Sequence, residues 1–483
     1  MNTEILLPVP ELKQALGGLN KLVGKKTTLP VLNHVRVSRQ KSGLVTLQGT
    51  DLDAHATFTF NNTQAGEVVD VLVPLEQLNK AFKCSSSKDA VALVCEGKTT
   101  KLRYCIGGNP VHQPVNTLPV DEWPPAPNIS VDSSPLPPGF GEALKQAMQC
   151  CSEDPSRQVL RGACLDARDE KAHYVVGTNG RFLFSANSFN FPMKDAIIVP
   201  DSKFINGSGL LDGEPCSLAI QPGKKPSQVK HVLLQNKQWQ FVTREIEGQY
   251  PNWKQVVPAM ISGWTLVKLS PPAIEQLLKV IPNLPGYDGS NNTVKLSTGD
   301  KALWVAGRNK DDADWTKVAI SDVSITGKFK EISLNRDYLL PALKFGLNEW
   351  AIQDELSPMV CSKDGKKMVI MPVRMSGPAT VVEKSKTSTP PASVPPTAEA
   401  KTNAEEKDTT MPKANTPPTA PKAEPSTSLL DQIEQVKESA KNLVRDLTGL
   451  TDAVKQAEKD KRANEKELEN ARAVLKKLQQ VQI

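Results

Sequence analysis

Pro10-Glu11-Leu12-Lys13-Gln14-Ala15-Leu16 returns as Pro138-Gly139-Phe140-Gly141-Glu142-Ala143-Leu144 and again as Pro271-Pro272-Ala273-Ile274-Glu275-Gln276-Leu277. Each reads as an amphipathic helix led by proline, whose fixed φ suits a helix start and whose missing N–H had no intrahelical partner there. A strand-rich stretch follows each helix. Next comes a second short helix, entered through Val73-Pro74-Leu75-Glu76, Val199-Pro200-Asp201 or Leu334-Asn335-Arg336-Asp337, and then more strands. Alternation marks the strands in Leu44-Val45-Thr46-Leu47-Gln48, Val91-Ala92-Leu93-Val94-Cys95, His231-Val232-Leu233-Leu234-Gln235 and Trp239-Gln240-Phe241-Val242-Thr243. The repeat is far longer than the ~20 to 50 residues of a solenoid unit, so whole domains stand in tandem. An α+β fold of three related domains, mostly antiparallel sheet, is predicted. Such arrays curve into arcs or rings.

The length of 483 residues accommodates three such domains with tails. A net charge of +6 is mild for that length, so any basic surface is local. Eight cysteines without a CxxC pair, and no signal peptide at Met1-Asn2-Thr3-Glu4, read as reduced thiols in a cytoplasmic protein. No apolar stretch reaches the ~18 residues of a membrane span, so no membrane contact is expected. Prolines beside aromatics mark the joints, Trp123-Pro124-Pro125-Ala126-Pro127 and Tyr250-Pro251-Asn252-Trp253 through Pro258. The domains are therefore drawn at 1–127, 128–258 and 259–375.

After Met375 the composition changes. Residues 376–427 hold ten prolines among Thr, Ser, Ala, Lys and Glu and almost no large apolar side chain. Such a segment cannot bury enough surface to offset its ordering entropy and reads as a disordered linker. From 428 to 483, Leu429, Ile433, Val436, Ala440, Leu443, Leu447, Leu450, Val454 and Ala457 step by four and three. The pattern breaks at Lys461 and Asn464 and resumes at Leu468, Ala471, Leu475 and Leu478. This is a coiled-coil pattern, with a single charged helix or a bent hairpin as the alternatives.

The sequence carries no recognisable catalytic motif. His34, His55, His112, His173 and His231 match no zinc spacing, and there is neither a Walker-type loop nor a GxSxG elbow. Gly107-Gly108 reads as a hairpin turn, and Cys150-Cys151 as packing at a helix end. Asp51 and Asp53 in Gly49-Thr50-Asp51-Leu52-Asp53 resemble a carboxylate pair. The equivalent Gly177-Thr178-Asn179-Gly180-Arg181-Phe182-Leu183 and Gly307-Arg308-Asn309-Lys310 do not keep it, so a tight turn is the better reading. No active site, metal or cofactor is expected. The repeat helices do carry cations, Lys13, Lys21, Lys80, Lys83, Lys145, Lys279 and Lys344. One or two per helix is an ordinary solvated face. Three equivalent domains, doubled in a dimer with helices inward, would make a positive channel that attracts phosphates without reading sequence.

Thr28-Leu29-Pro30-Val31-Leu32, Gly49-Thr50-Asp51-Leu52-Asp53, Val159-Leu160-Arg161-Gly162, Thr178-Asn179-Gly180, Glu247-Gly248-Gln249-Tyr250-Pro251-Asn252-Trp253, Leu356-Ser357-Pro358 and Val369-Ile370-Met371-Pro372-Val373-Arg374-Met375 resemble, in order, the bacterial sliding clamp family, the beta subunit of DNA polymerase III. That resemblance covers residues 1–375. It implies a non-catalytic processivity factor: a head-to-tail homodimer ring, helices lining the hole and sheets outside, encircling duplex DNA. It also implies a groove that receives the polymerase catalytic subunit, the clamp loader and other proteins bearing a clamp-binding motif. Carried over by position, the groove comprises Leu160, Thr178, Gly180, Arg181, Phe182, Leu183, Pro251, Val256, Asn335, Tyr338, Val369, Ile370, Met371, Pro372, Val373, Arg374 and Met375. Lys26 and Arg157 join the helix lysines as DNA contacts by the same route. The family commonly has Asp-Gly-His-Arg where this chain has Asn179-Gly180-Arg181-Phe182, which inserts an aromatic that would serve as an added anchor. The family also usually ends near Met375. A clamp-like paralogue that does not close on DNA and acts as a scaffold through its coiled coil is the alternative.

Overall fold

The computed structural model describes residues 2–24, 29–97, 99–212, 215–223, 230–259, 263–286, 292–299, 302–309 and 314–374. Lys26, Met375, the linker at 376–427 and the heptad segment at 428–483 lie outside the described residues.

The chain runs through β1 (Asn2–Pro8), α1 (Val9–Leu22), β2 (His34–Arg39), β3 (Val45–Thr50), β4 (Ala54–Thr59), β5 (Val69–Pro74), α2 (Leu75–Cys84), β6 (Ala90–Glu96), β7 (Thr99–Ile106) and β8 (Asn109–Val115). The same order is then repeated: β9 (Ser134–Pro135), α3 (Phe140–Met148), β10 (Gly162–Asp166), β11 (His173–Thr178), β12 (Phe182–Phe189), β13 (Ala196–Pro200), α4 (Lys203–Gly207), β14 (Ser217–Gln221), β15 (His231–Gln235) and β16 (Trp239–Arg244). A third pass comprises β17 (Thr265–Leu269), α5 (Pro271–Asn283), β18 (Thr293–Gly299), β19 (Ala302–Gly307), β20 (Thr316–Ile320), β21 (Val323–Thr326), β22 (Ile332–Asn335), α6 (Arg336–Lys344), β23 (Glu349–Ile352), β24 (Met359–Lys363) and β25 (Lys366–Ile370). Only β21, an extra strand on β17, departs from the order.

Each pass makes two four-stranded antiparallel units, and neighbouring passes fuse them edge to edge. β5-β2-β3-β4 continues through β4 and β16 into β16-β15-β14-β9, while β13-β10-β11-β12 continues through β12 and β25 into the sheet of β17 and β23 to β25. Both joints are packed with aromatics. Trp239 meets Phe58 and Phe204 edge-on at 4.9 Å, and Phe184 meets Phe345 at 5.4 Å. Two units, β1-β6-β7-β8 and β20-β19-β18-β22, are not extended by another strand among the described residues.

The helices follow the expected periodicity. α1 buries Leu12, Ala15, Leu16, Leu19 and Leu22 and leaves Lys13, Gln14 and Lys21 exposed. Pro10 and Pro271 sit in first turns, and Ser270 Oγ accepts from Ala273 N–H at 3.2 Å to cap α5. Pro138 differs. It precedes the helix by two residues, because Gly139 takes a left-handed φ of +85° and α3 starts only at Phe140, whose ring is buried against Phe189 and Phe191.

The two strand-end turns are one device used twice. Thr50 Oγ1 donates to Ala54 O at 2.8 Å and accepts from Leu52 N–H, while Asp51 Oδ1 accepts from Ala54 N–H. Thr178 Oγ1 likewise donates to Phe182 O at 2.6 Å and accepts from Gly180 N–H, while Asn179 Oδ1 accepts from Phe182 N–H. Leu52 and Gly180 share a φ near +85°, at 83° and 85°. Asp51 therefore serves the turn, as Asn179 does, and the carboxylate pair is a structural feature. Burial pushes the Asp51 carboxyl up, partly offset by these backbone N–H groups.

The joint aromatics fold back onto the sheets. Trp123 packs on Val31, Leu32 and Leu72, and Trp253 Nε1–H donates to Asp166 Oδ2 at 2.9 Å. Burial alone would raise the Asp166 carboxyl. The Arg168 guanidinium, at 2.7 and 2.8 Å, and the Trp253 N–H outweigh it and hold the group down at about 2. A depressed carboxylate stabilises the fold above its unfolded value, near 3.9, and that contribution is lost as pH falls through about 2. Because Arg168 is 42% exposed, roughly 1–2 kcal/mol survives solvent screening. In Asp166→Asn, the fall in melting temperature on acidification from pH ~4 to ~2 should be shallower than in the parent; parallel acid-melting curves would show that the group contributes nothing.

Candidate functional site

Residues from the second and third passes converge where β12 meets β25. The register sets Phe182 opposite Ile370 and Leu183 opposite Val369. Beyond β25 the chain is held on both sides: Met371 N–H donates to Arg181 O at 3.1 Å, and Val373 N–H to Ser333 O at 2.8 Å. Leu160, Leu183 and Val369 form one buried cluster with Tyr250 and Trp253. Asn335 caps α6 through Asp337 N–H at 2.8 Å, and Tyr338 one turn on stacks on Phe182 at 4.6 Å.

Burial divides these residues into floor and surface. Leu160, Thr178, Phe182, Leu183, Asn335, Val369 and Ile370 are all below 9% exposed, whereas Met371 is 40% and Val256 46% exposed. Pro372, Val373 and Tyr338 are half-buried, and Pro251, Arg181 and Arg374 are exposed. Phe182 thus differs from the expected projecting anchor: its ring is spent on Tyr338, joining the two passes. The residues open to an apolar ligand are Met371, Val256, Pro251 and Pro372. At the end of the strip, Gly180 takes its left-handed φ directly under Arg157, whose Nη1 would lie 2.8 Å from an added Cβ.

The cations behave unequally. Lys21 Nζ donates to Gly207 O at 2.5 Å and so pins α1 on α4; Lys145 pairs with Asp212, and Lys80 with Glu76 at 2.8 Å. Arg157 Nη1 donates to Asn179 O at 3.0 Å and its Nε lies 3.6 Å from Asp154, so it braces the turn at Thr178–Phe182 instead of standing on a helix. Lys13, Lys83, Lys279 and Lys344 are exposed and carry no ion pair among the described residues. Lys13 and Lys83 flank a cleft of about 900 Å³ between α1, α2 and α4. Asn20 and Asn79 close that helix pair with reciprocal amide bonds of 2.8 and 2.9 Å. Lys279 and Lys344 stand on the corresponding pair α5 and α6.

The sequence reading missed Arg336, which is fully buried and whose guanidinium donates to Leu284 O at 2.6 Å, Pro285 O at 2.7 Å and Asn292 O at 3.2 Å. It neutralises the carbonyl end of α5. No group of His, Cys, Asp and Glu suited to a metal is found among the described residues, and no described helix is long and apolar enough to cross a membrane.

Residues 7–128 match the family model described as DNA polymerase III beta subunit, N-terminal domain. A beta sliding clamp of Buchnera aphidicola is 24% identical over 249 residues, covering 50% of this chain and 63% of that protein, so this alignment spans less than two thirds of the relative's length. A beta sliding clamp of Staphylococcus aureus is 20% identical over 361 residues, covering 67% and 85%. Among solved structures, the DNA polymerase III subunit beta of Pseudomonas aeruginosa superposes with a TM-score of 0.63 at 19% identity, over 78% of this chain and 100% of that one. The Bartonella birtlesii sliding clamp bound to griselimycin matches with a TM-score of 0.63 at 18% identity, again over 78% and 100%.

Proposed function

We propose that the chain is a bacterial beta sliding clamp, the non-catalytic processivity subunit of DNA polymerase III, and that two copies close head to tail into a ring that encircles duplex DNA and tethers the polymerase. The observation that carries this reading is the joint made twice within the chain. β4 pairs with β16 and β12 with β25, always the last strand of one half-domain with the last strand of the next. By the same rule the leftover edges are β20 and β8, and a second copy supplies the partner of each. The domains are then 1–127, 128–258 and 259–375, and the protein works in the cytoplasm at replication forks. The scaffold alternative, without a closed ring, draws no support from the relatives.

Lys13, Lys83, Lys279 and Lys344 are the cations we assign to the DNA phosphates, with Lys26 added on family position alone. Retention needs no base contact, only closure and a weakly positive wall. The groove around Met371 and Val256 takes the apolar motifs of the polymerase catalytic subunit, the clamp loader and other partners in turn.

The test is topological. The full chain, loaded by its clamp loader onto nicked circular DNA, should stay bound through gel filtration and fall off once the circle is linearised. Equal loss from both forms overturns the ring. Lys13→Ala with Lys83→Ala should also lower the salt slope of DNA binding by about 0.9 for each phosphate no longer neutralised.

A further inference from the structure

β7 and β8 are joined by Gly107 and Gly108 alone, at φ +57° and +84°, the geometry of a two-residue hairpin with positive φ at both central positions. In such a hairpin the closing residues Ile106 and Asn109 exchange backbone hydrogen bonds, and alternate pairs do so beyond them. The register then directs the backbone of Val111, Gln113 and Val115 to β7, and that of Pro110, His112 and Pro114 away from it. The two prolines fit that parity, since neither has an N–H to give the ladder. The outer edge of β8 consequently presents three carbonyls but a single donor, His112 N–H.

The facing edge is differently equipped. β20, Thr316-Lys317-Val318-Ala319-Ile320, has no proline, and because Ser333 O accepts from Val373 N–H and so faces away from β18, the register carried from β22 through β18 and β19 turns Lys317 and Ala319 away from β19. Ala319 and Lys317, of the same parity, therefore offer their N–H groups at the outer edge. The joints inside the chain have no comparable defect, as β4, β16, β12 and β25 contain no proline.

We propose that the joint between β8 of one copy and β20 of a second is donor-poor, with β20 donating its Lys317 and Ala319 N–H groups to carbonyls of the β8 edge and β8 returning only the His112 N–H. This rests on the head-to-tail reading above. The two joints inside each chain carry no such deficit, so the joint between copies is the weaker in backbone hydrogen bonds. The prolines also keep a free β8 from adding unrelated strands while the copies are apart.

Pro110→Thr and Pro114→Thr, made singly and together in the full chain, put N–H groups back on that edge. Hydrogen exchange reads the result at the joint itself, independently of association through any other part of the chain. The new amides at positions 110 and 114 should exchange slowly, with protection that rises with protein concentration. The amides of Lys317 and Ala319 should gain protection in parallel. Each restored bond should slow joint opening roughly 2- to 10-fold. If Lys317 and Ala319 are protected in the parent with rising concentration but the new amides exchange freely, the copies do meet and the donor-poor joint is wrong. If none of these amides responds to concentration in parent or variant, the head-to-tail reading fails as well. Circular dichroism of each variant guards against a lost hairpin: a normal spectrum with unprotected amides counts against the proposal.

Discussion

Arg336→Ala should destabilise the third repeat strongly. The side chain is fully buried and its guanidinium spans the carbonyl end of α5, donating to Leu284 O and Pro285 O at 2.6 and 2.7 Å, to Ile281 O at 3.3 Å, and to Asn292 O and Thr293 O at the start of β18 at 3.2 and 3.4 Å. Hydrogen bonds from a charged donor contribute about 1.5–3 kcal/mol each, and truncation leaves the carbonyls buried without the cation. A loss of at least about 3–5 kcal/mol is expected, a large part of the ~5–15 kcal/mol that holds a domain together. Arg336→Lys should fall between the two, because a point ammonium cannot reproduce the planar fork that reaches both sides. Urea unfolding with limited proteolysis is the check: residues 263–374 should become protease-sensitive at a denaturant concentration that leaves the first two repeats intact. A midpoint within about 1 kcal/mol of the parent would show that the carbonyls find other partners.

Met371→Ala should abolish binding of partner peptides while leaving the fold unchanged. Met371 is the last residue tied to β12, through its N–H on Arg181 O, yet its side chain is 40% exposed beside a floor already filled by Leu183, Val369 and Leu160. Truncation therefore removes binding surface without opening a cavity in the core. Central apolar anchors commonly carry about 2 kcal/mol or more of an interface, so the expected loss is at least about tenfold, ~1.4 kcal/mol. Fluorescence anisotropy of a labelled clamp-binding peptide measures it, with hydrogen exchange at β25 confirming the fold. A smaller change would move the groove elsewhere. Phe182→Ala makes a useful contrast. Its ring is buried on Tyr338, so it should lower stability, by about 3 kcal/mol or more, alongside any effect on binding.

The repeat, the fold class and the turns were legible in the sequence because each depends on short-range chemistry. Apolar residues three and four apart make α1 amphipathic wherever it docks. Thr50-Asp51 and Thr178-Asn179 form the same turn because their side chains bond backbone two to four residues away. The proline-led pattern failed only at Pro138, where a local choice by Gly139 moved the helix start. The candidate groove was named by resemblance to a family. Nothing in its composition told which members would be floor and which surface, since Leu183 and Met371 are equally apolar on paper.

What the sequence by itself determined is the set of elements, their threefold order and the absence of any recognisable catalytic motif. Only the tertiary structure decided how those elements are used. It committed Lys21 to Gly207 O and Lys145 to Asp212, brought Arg157 to the turn at Asn179, and left Lys13, Lys83, Lys279 and Lys344 exposed. It brought Arg336 to the end of a helix more than fifty residues earlier, and it turned Pro110 and Pro114 to the outer edge of a sheet. The physical reason is the range of the interaction. Helix periodicity and turn bonds act over a few residues and are written locally, whereas a cation's partner and the facing of a strand edge are fixed by residues that meet only after the chain has packed.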